Sequence, residues 1–179
     1  MEIKVDEVLD GEPITRDVAK AHLRVDGTYE DTLIDALIAA ARQNCEGALL
    51  RALIPQRRIA LSDVFLSQFE IGPDVTGVTS VIYRDSNGAT QTLDSAAYRL
   101  AEERWLVPVG AWPSGDTVKI TFTCGAFTAT TVPETVRQWM LLQIGAMYAQ
   151  REAVAAGQLF EPPGRFVDRL LDPWRNYVV

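Results

Sequence analysis

The sequence is poor in the residues that usually carry chemistry. Among 179 residues there is one histidine, His22, and there are two cysteines, Cys45 and Cys124, with no CxxC spacing. Neither a zinc site nor a Cys–His nucleophile finds enough partners in such a set. No serine sits in a G-x-S-x-G elbow, and the loop PVGAWPSGD contains neither GK[ST] nor GxGxxG, so it is not read as a phosphate cradle. Basic residues are the minority, 17 against 24 acidic ones for a net charge of −7. That balance argues against a surface that grips nucleic acid, which needs clustered Lys and Arg. No apolar stretch reaches the roughly 18 residues of a membrane span. The opening MEIKVDEVLDGEP lacks the basic start and apolar core of a signal peptide, so manufacture in a reducing cytoplasm is expected. Both cysteines then read as small buried hydrophobes. A bond between them requires their two elements to pack together, which spacing leaves open.

What is present is ordinary globular composition, 47% hydrophobic and 23% charged, in a chain long enough for one well-buried core. In ITRDVAKAHLRV, Thr15 is the expected N-cap of a first helix with Val18, His22 and Val25 on one stripe. A longer helix is expected from about residue 29 to 51. Leu33, Ile34, Leu37, Ile38, Ala41, Cys45, Ala48 and Leu49 trace its apolar face, with Asp31, Asp35, Arg42 and Glu46 on the other side. In VPETVRQWMLLQIGAMYAQREA, Pro133 suits the first helical position. Val136, Met140, Ile144 and Met147 form the stripe of this helix, flanked by Trp139 and Tyr148. A short last helix is expected to carry Phe166, Val167, Leu170 and Leu171 and to stop at Pro173.

The acids Asp26, Glu30, Asp31 and Asp35 are the densest group of catalytically plausible side chains. A calcium loop would need D-x-[DN]-x-[DN]-G with a Glu six residues after the Gly, and position 33 is Leu. Thr28 and Asp31 instead have the spacing of a capping box, and acids in a first turn suit the helix dipole. The group is read as helix initiation, and a small metal-dependent enzyme using these acids is the weaker alternative.

From Arg57 the period changes to two. RRIALS, VTSVIYRD, GATQTL, YRLA, RWLVP and TVKITFTC each read as a short strand. Asn87-Gly88 is expected to make a tight reversal, and a second turn is expected at Glu102-Glu103-Arg104. The Arg57-Arg58 doublet is read as a solvated edge or a contact to another subunit. The order of elements predicts an α+β fold: a helical body of two long helices plus short N- and C-terminal helices, with an inserted antiparallel β lobe. The body would span about 14–54 and 133–173, the lobe about 56–125 and the tail 173–179, all in one domain over 1–179. Trp105, Trp112, Trp174 and Tyr177 fall in turns or in the tail, where aromatic residues are candidates for protein contacts. The ending DPWRNYVV is apolar enough that it should fold back on its own body or dock on a partner.

The ordered set of segments resembles a known family. ITRDVAKAHLRVDGTYEDTLIDALIAAARQNCEGALLRALIPQ, VTSVIYRDSNGATQTLDSAAYRL, VKITFTCG, VPETVRQWMLLQIGAMYAQREA and LLDPWR are similar to the head-tail connector (adaptor) proteins of tailed bacteriophages, prophages and gene transfer agents. The likeness runs from about Ile14 to Arg175 and departs from the family pattern at LSDVFLSQFEIGPDVTG. It implies a structural virion protein without cofactor, metal or catalytic residue. Such a protein is expected to form a ring of twelve copies of itself between the portal protein of the head and the stopper or tail protein, and genomic DNA passes through without specific binding. No membrane is involved, and the expected location is the neck of the virion. On this reading Trp174, Arg175 and Tyr177 are candidates for binding the portal, and Asn87, Gly88, Trp112 and Pro113 for the tail-ward contact. A tail completion or tail terminator protein is the neighbouring alternative.

Overall fold

The structure is a computed structural model in which residues 1–150, 167 and 169–176 are described. Among the described residues, eight strands and three α-helices described along their full length fall into two compact units, one of residues 1–10 and 54–126, the other of residues 11–53 and 127–179.

In the first unit, β1 (Glu2–Val8), β2 (Gln56–Val64), β4 (Val75–Asp85), β5 (Thr90–Thr92) and β8 (Gly115–Cys124) form an antiparallel sheet in the order β1-β2-β8-β4-β5. A second sheet has the order β3-β7-β6, from β3 (Phe69–Glu70), β6 (Tyr98–Ala101) and β7 (Trp105–Pro108). Alternation in β8 turns Val118, Ile120, Phe122 and Cys124 inward. Ala60, Ile120 and Val81 lie opposite one another across three strands and are all buried. Phe69 and Leu106 are a buried pair in the second sheet. Each such side chain contributes about 1.5–3 kcal/mol by leaving water. Phe65 bridges the two sheets, edge to face with Phe69 of β3 and with Tyr83 of β4.

The second unit holds α1 (Arg16–Leu23), α2 (Asp31–Leu49), α3 (Glu134–Ala149) and a 3₁₀ turn over Asp172–Trp174. Its core is Ile34, Ile38, Ala41, Cys45 and Leu49 of α2 with Val136, Trp139, Met140 and Ile144 of α3, as the two stripes predict. Thr15 caps α1 as expected, its Oγ1 accepting from the Val18 amide at 3.4 Å.

Several expectations are corrected. The chain is mainly β, two antiparallel sheets with three helices, and not a helical body with an inserted β lobe. One cause is EIKVDEV, which precedes the helices yet pairs with β2 as the edge strand of the larger sheet. Its side chains are almost all exposed, so it lacks the buried run by which strands are recognised. The other is the two-residue β3, too short to leave a pattern. Of the short last helix, Val167 is helical and buried, Leu170 and Leu171 sit in the turn that follows, and Phe166 lies outside the described residues. In α1 the buried residue is Ala19, while Val18 and His22 are exposed. Helix α2 begins at Asp31 with Glu30 as its N-cap and no side-chain cap, so Thr28 and Asp31 do not make the expected box.

The hairpin between β4 and β5 is also longer than a two-residue reversal. Gly88 alone takes a positive φ, 81°, while Asp85 Oδ1 accepts from the amides of Asn87 and Ala89. The reverse holds at the β6–β7 turn, where Glu102 and Glu103 both adopt left-handed φ values of 54° and 51°. That conformation suits Asn-Gly and costs about 1 kcal/mol or more per ordinary residue. Replacing Glu102-Glu103 with Asn-Gly is therefore expected to raise stability by about 1–2 kcal/mol. The check is a thermal melt of the double variant; an unchanged or lower midpoint would mean that the glutamate side chains hold the turn.

Candidate interaction sites

The acidic group of the long helix resolves into ties between helices. Asp35 accepts a forked contact from Arg16, with Nε to Oδ1 at 2.7 Å, and Asp31 takes Arg16 at 3.2 Å and Lys20 at 2.8 Å. Glu30 accepts from the Tyr148 hydroxyl. These acids join α1 and α3 to the start of α2, and among the described residues no group of three or more His, Cys, Asp or Glu could hold a metal ion. The lone His22 has its ring beside Gly145, where an added Cβ would lie 3.4 Å from Nε2. Both cysteines are buried, and burial pushes the Cys45 thiol up to about 12. Arg57 pairs with Asp6 and Glu7 of β1, each at 2.6 Å, and so ties β2 to β1, while Arg58 donates to Gln56 Oε1 within β2.

Three carboxyls on exposed surfaces are held below the usual range. Hydrogen bonding from Arg16 does this for Asp35, from Gln91 for Asp85 and from Arg84 for Asp116. A carboxyl with a depressed folded pKa contributes stability that is fully present above its unfolded value and is lost as pH falls through the folded one. Stability is therefore expected to be flat above about pH 5 and to fall below the ordinary Asp value of about 3.9. Asp35→Asn with Asp116→Asn should flatten that acid limb in urea titrations from pH 7 to 2.5; an unaltered limb would contradict the assignment.

The expected contact residues lie in three places. Asn87 and Gly88 are exposed at the hairpin tip. Trp112 is half-buried, stacked on Phe65 at 5.3 Å and edge to face with Phe69 at 5.6 Å, and its Nε1 donates to the Ser67 carbonyl at 3.4 Å. Pro113 beside it is half-buried too. The turn that follows admits only glycine at Gly115, because a Cβ there would meet the Arg84 carbonyl oxygen at 2.5 Å and the Tyr83 ring at 2.7 Å.

At the tail, Trp174 folds back. Its Nε1 donates to Thr135 Oγ1 at 3.1 Å, its ring lies edge to face on Phe127 at 5.5 Å, and its carbonyl accepts from Arg51 at 3.2 Å. The Asn176 amide then donates to the Leu49 carbonyl at 3.0 Å. Arg175 lies 3.6 Å from Asp172, and its shielded Nε has no hydrogen-bond acceptor among the described residues. Tyr177 lies outside the described residues.

Two features went unmarked in the sequence. Tyr29 is fully exposed in the loop before α2. A hollow of about 300 Å³ opens between the segment before α1 and the side of α2. A tyrosine among acids and a lone Gly11 give no periodic signal, so only the three-dimensional structure marks them.

No family model matches the chain, and no curated protein matches it. Solved structures do share its fold. A chain from the neck of an empty GTA particle, computed with C6 symmetry, matches with a TM-score of 0.76 at 22% identity over 100% of this chain and 97% of that one. A chain from the virion of a native gene transfer agent particle matches at 0.74 and 23%, with the same coverage. One from the neck of a native GTA particle, computed with C12 symmetry, matches at 0.68 and 21%, again over 100% and 97%. The fold over the whole chain is therefore one found in gene transfer agent particles.

Proposed function

We propose that this protein is a structural, non-enzymatic subunit of the virion neck, twelve copies of which form an adaptor ring between the portal vertex and the tail or stopper. The observation that carries this reading is the end-to-end match to chains of gene transfer agent particles, two of them from necks computed with C6 or C12 symmetry. The engagement of Glu30, Asp31 and Asp35 in interhelix ties supports a structural role, since it leaves them bound to Arg, Lys and Tyr side chains. In this reading the whole chain acts as one connector domain. A ring needs heterologous contacts, one face of a subunit against a different face of the next. An acidic chain repeated around a channel repels phosphate weakly, so DNA slides without being held.

The β4–β5 hairpin tip, with Asn87 and Gly88, and the loop of Trp112 and Pro113 face the tail-ward partner in this proposal. Trp112 is held by its own aromatic cluster, so Pro113 and the hairpin make the direct contact. Asn87→Glu keeps the bonds of Asp85, which use only backbone amides and Gln91. It is expected to leave the ring on filled heads and to cut tail attachment at least about tenfold, the effect of one misplaced charge worth some 1.4 kcal/mol. Electron microscopy of variant particles reads both quantities; normal tailing would remove the hairpin from the interface.

A further inference from the structure

We infer that the ring is closed by a knob-and-hollow contact, in which Tyr29 of one subunit enters the hollow beside Gly11 of the next. This deepens the adaptor-ring reading and rests on it.

The knob is unusual on solubility grounds. Tyr29 is 100% exposed, although an aromatic side chain of this size hides 150–250 Å² when it packs. Leu33, one helical turn further on, is also exposed. The acid Asp26, three residues before Tyr29, is exposed as well. Tyrosine is among the residues that most often dominate interface energy when they find a pocket.

The hollow has the complementary properties. Its lining includes Gly11, Glu12, Ile14, Arg16, Asp35 and Ile38. Ile14 and Ile38 are buried and supply an apolar floor, and about 300 Å³ is ample for a phenol ring. A buried tyrosine hydroxyl needs an acceptor. The carboxylates of Glu12 and Asp35 provide one, because each retains lone pairs beyond those taken by Arg42 and Arg16. Arg16 at the rim, whose side chain is 45% exposed, faces an incoming loop that carries Asp26. The two sites also point in different directions. At 3.6 residues per turn, Leu33 lies about 200° around α2 from Asp35. A knob and a hollow on different faces make a head-to-tail contact, which closes into a ring when the rotation between neighbours divides the full circle.

The test is cysteine cross-linking with Gly11→Cys and Tyr29→Cys. Gly11 has ordinary backbone angles and nothing within 4 Å of an added Cβ, so the substitution fits, and both native thiols are buried. In particles assembled with the double variant, mild oxidation is expected to give a ladder of dimers and higher multiples on a non-reducing gel, and neither single variant should give any. A second arm uses the purified chain. Gly11→Leu, which fills the hollow, and Tyr29→Ala, which removes the knob, should each weaken self-association at least tenfold. Mixed, they should form one-to-one heterodimers, since one intact knob meets one intact hollow. Cross-linking in either single variant, or normal self-association of both filled and truncated chains, would overturn the contact while leaving the ring in place. A wild-type chain that forms no ring in particles would overturn the adaptor reading and this contact with it.

Discussion

Replacing Glu46 with alanine is expected to lower the unfolding free energy by about 3–5 kcal/mol, the usual result of breaking a buried ion pair from one side. Glu46 and Arg42 are one turn apart on α2 and are only 9% and 5% exposed. Glu46 Oε2 accepts from Arg42 Nη1 at 3.1 Å, and Oε1 accepts from the Leu53 amide at 3.0 Å. Arg42 Nε reaches Glu12 at 2.9 Å. The network therefore fastens both the segment before α1 and the turn after α2 to the middle of α2. Alanine leaves the Leu53 amide without its acceptor and Arg42 with one counter-charge fewer, and each loss is costly in a site that water does not reach. Glu46→Gln retains an acceptor for the amide and should recover about half the loss. Urea unfolding decides the matter: a lower midpoint at unchanged slope is expected, and a loss below about 1 kcal/mol would show that the network is dispensable.

Reversing the charge at Arg175 is expected to abolish joining of the subunit to filled heads while leaving the fold intact. Trp174 is committed to its own unit through Thr135 and Phe127, so its removal should cost stability as well as assembly and cannot separate the two. Arg175 is different. Among the described residues its ion pair is a loose one to Asp172 at 3.6 Å, and pairs of that kind at the surface contribute little. In the proposed assembly Trp174 anchors the tail and Arg175 meets the portal. A charge-assisted contact is worth about 1.5–3 kcal/mol, which is at least tenfold in affinity for each subunit. Repeated around a ring, the effect compounds through effective concentration. Arg175→Glu should melt within a few degrees of wild type and yield tailless filled heads; normal tailed particles would exclude Arg175 from the portal contact.

Much of the helical unit was legible because it obeys one rule. Ile34, Ile38, Ala41, Cys45 and Leu49 recur at helical spacing, as do Val136, Met140 and Ile144, and burial alone fixes which way each helix faces. Arg42 and Glu46 broke that rule. Their charge placed them on the outer face, yet they are buried because they neutralise each other, and pairing across space leaves no mark in a single sequence. The fold class failed for a related reason. The strand EIKVDEV is held by backbone pairing and by Arg57 rather than by buried side chains, so nothing in its composition separates it from an exposed leader. The candidate contacts divide the same way. Asn87 and Gly88 were placed by turn chemistry that the structure bears out in location if not in detail, whereas Tyr29 and the hollow beside Gly11 depend on what surrounds them in three dimensions.

The most direct test of the central claim is electron cryo-microscopy of intact particles from the source of this chain, with the neck averaged under and without twelve-fold symmetry. The expected result is a ring of twelve copies between portal and tail, with the β4–β5 hairpin tips directed toward the tail. Finding the chain in any other part of the particle, or absent from particles that are nonetheless fully tailed, would contradict it.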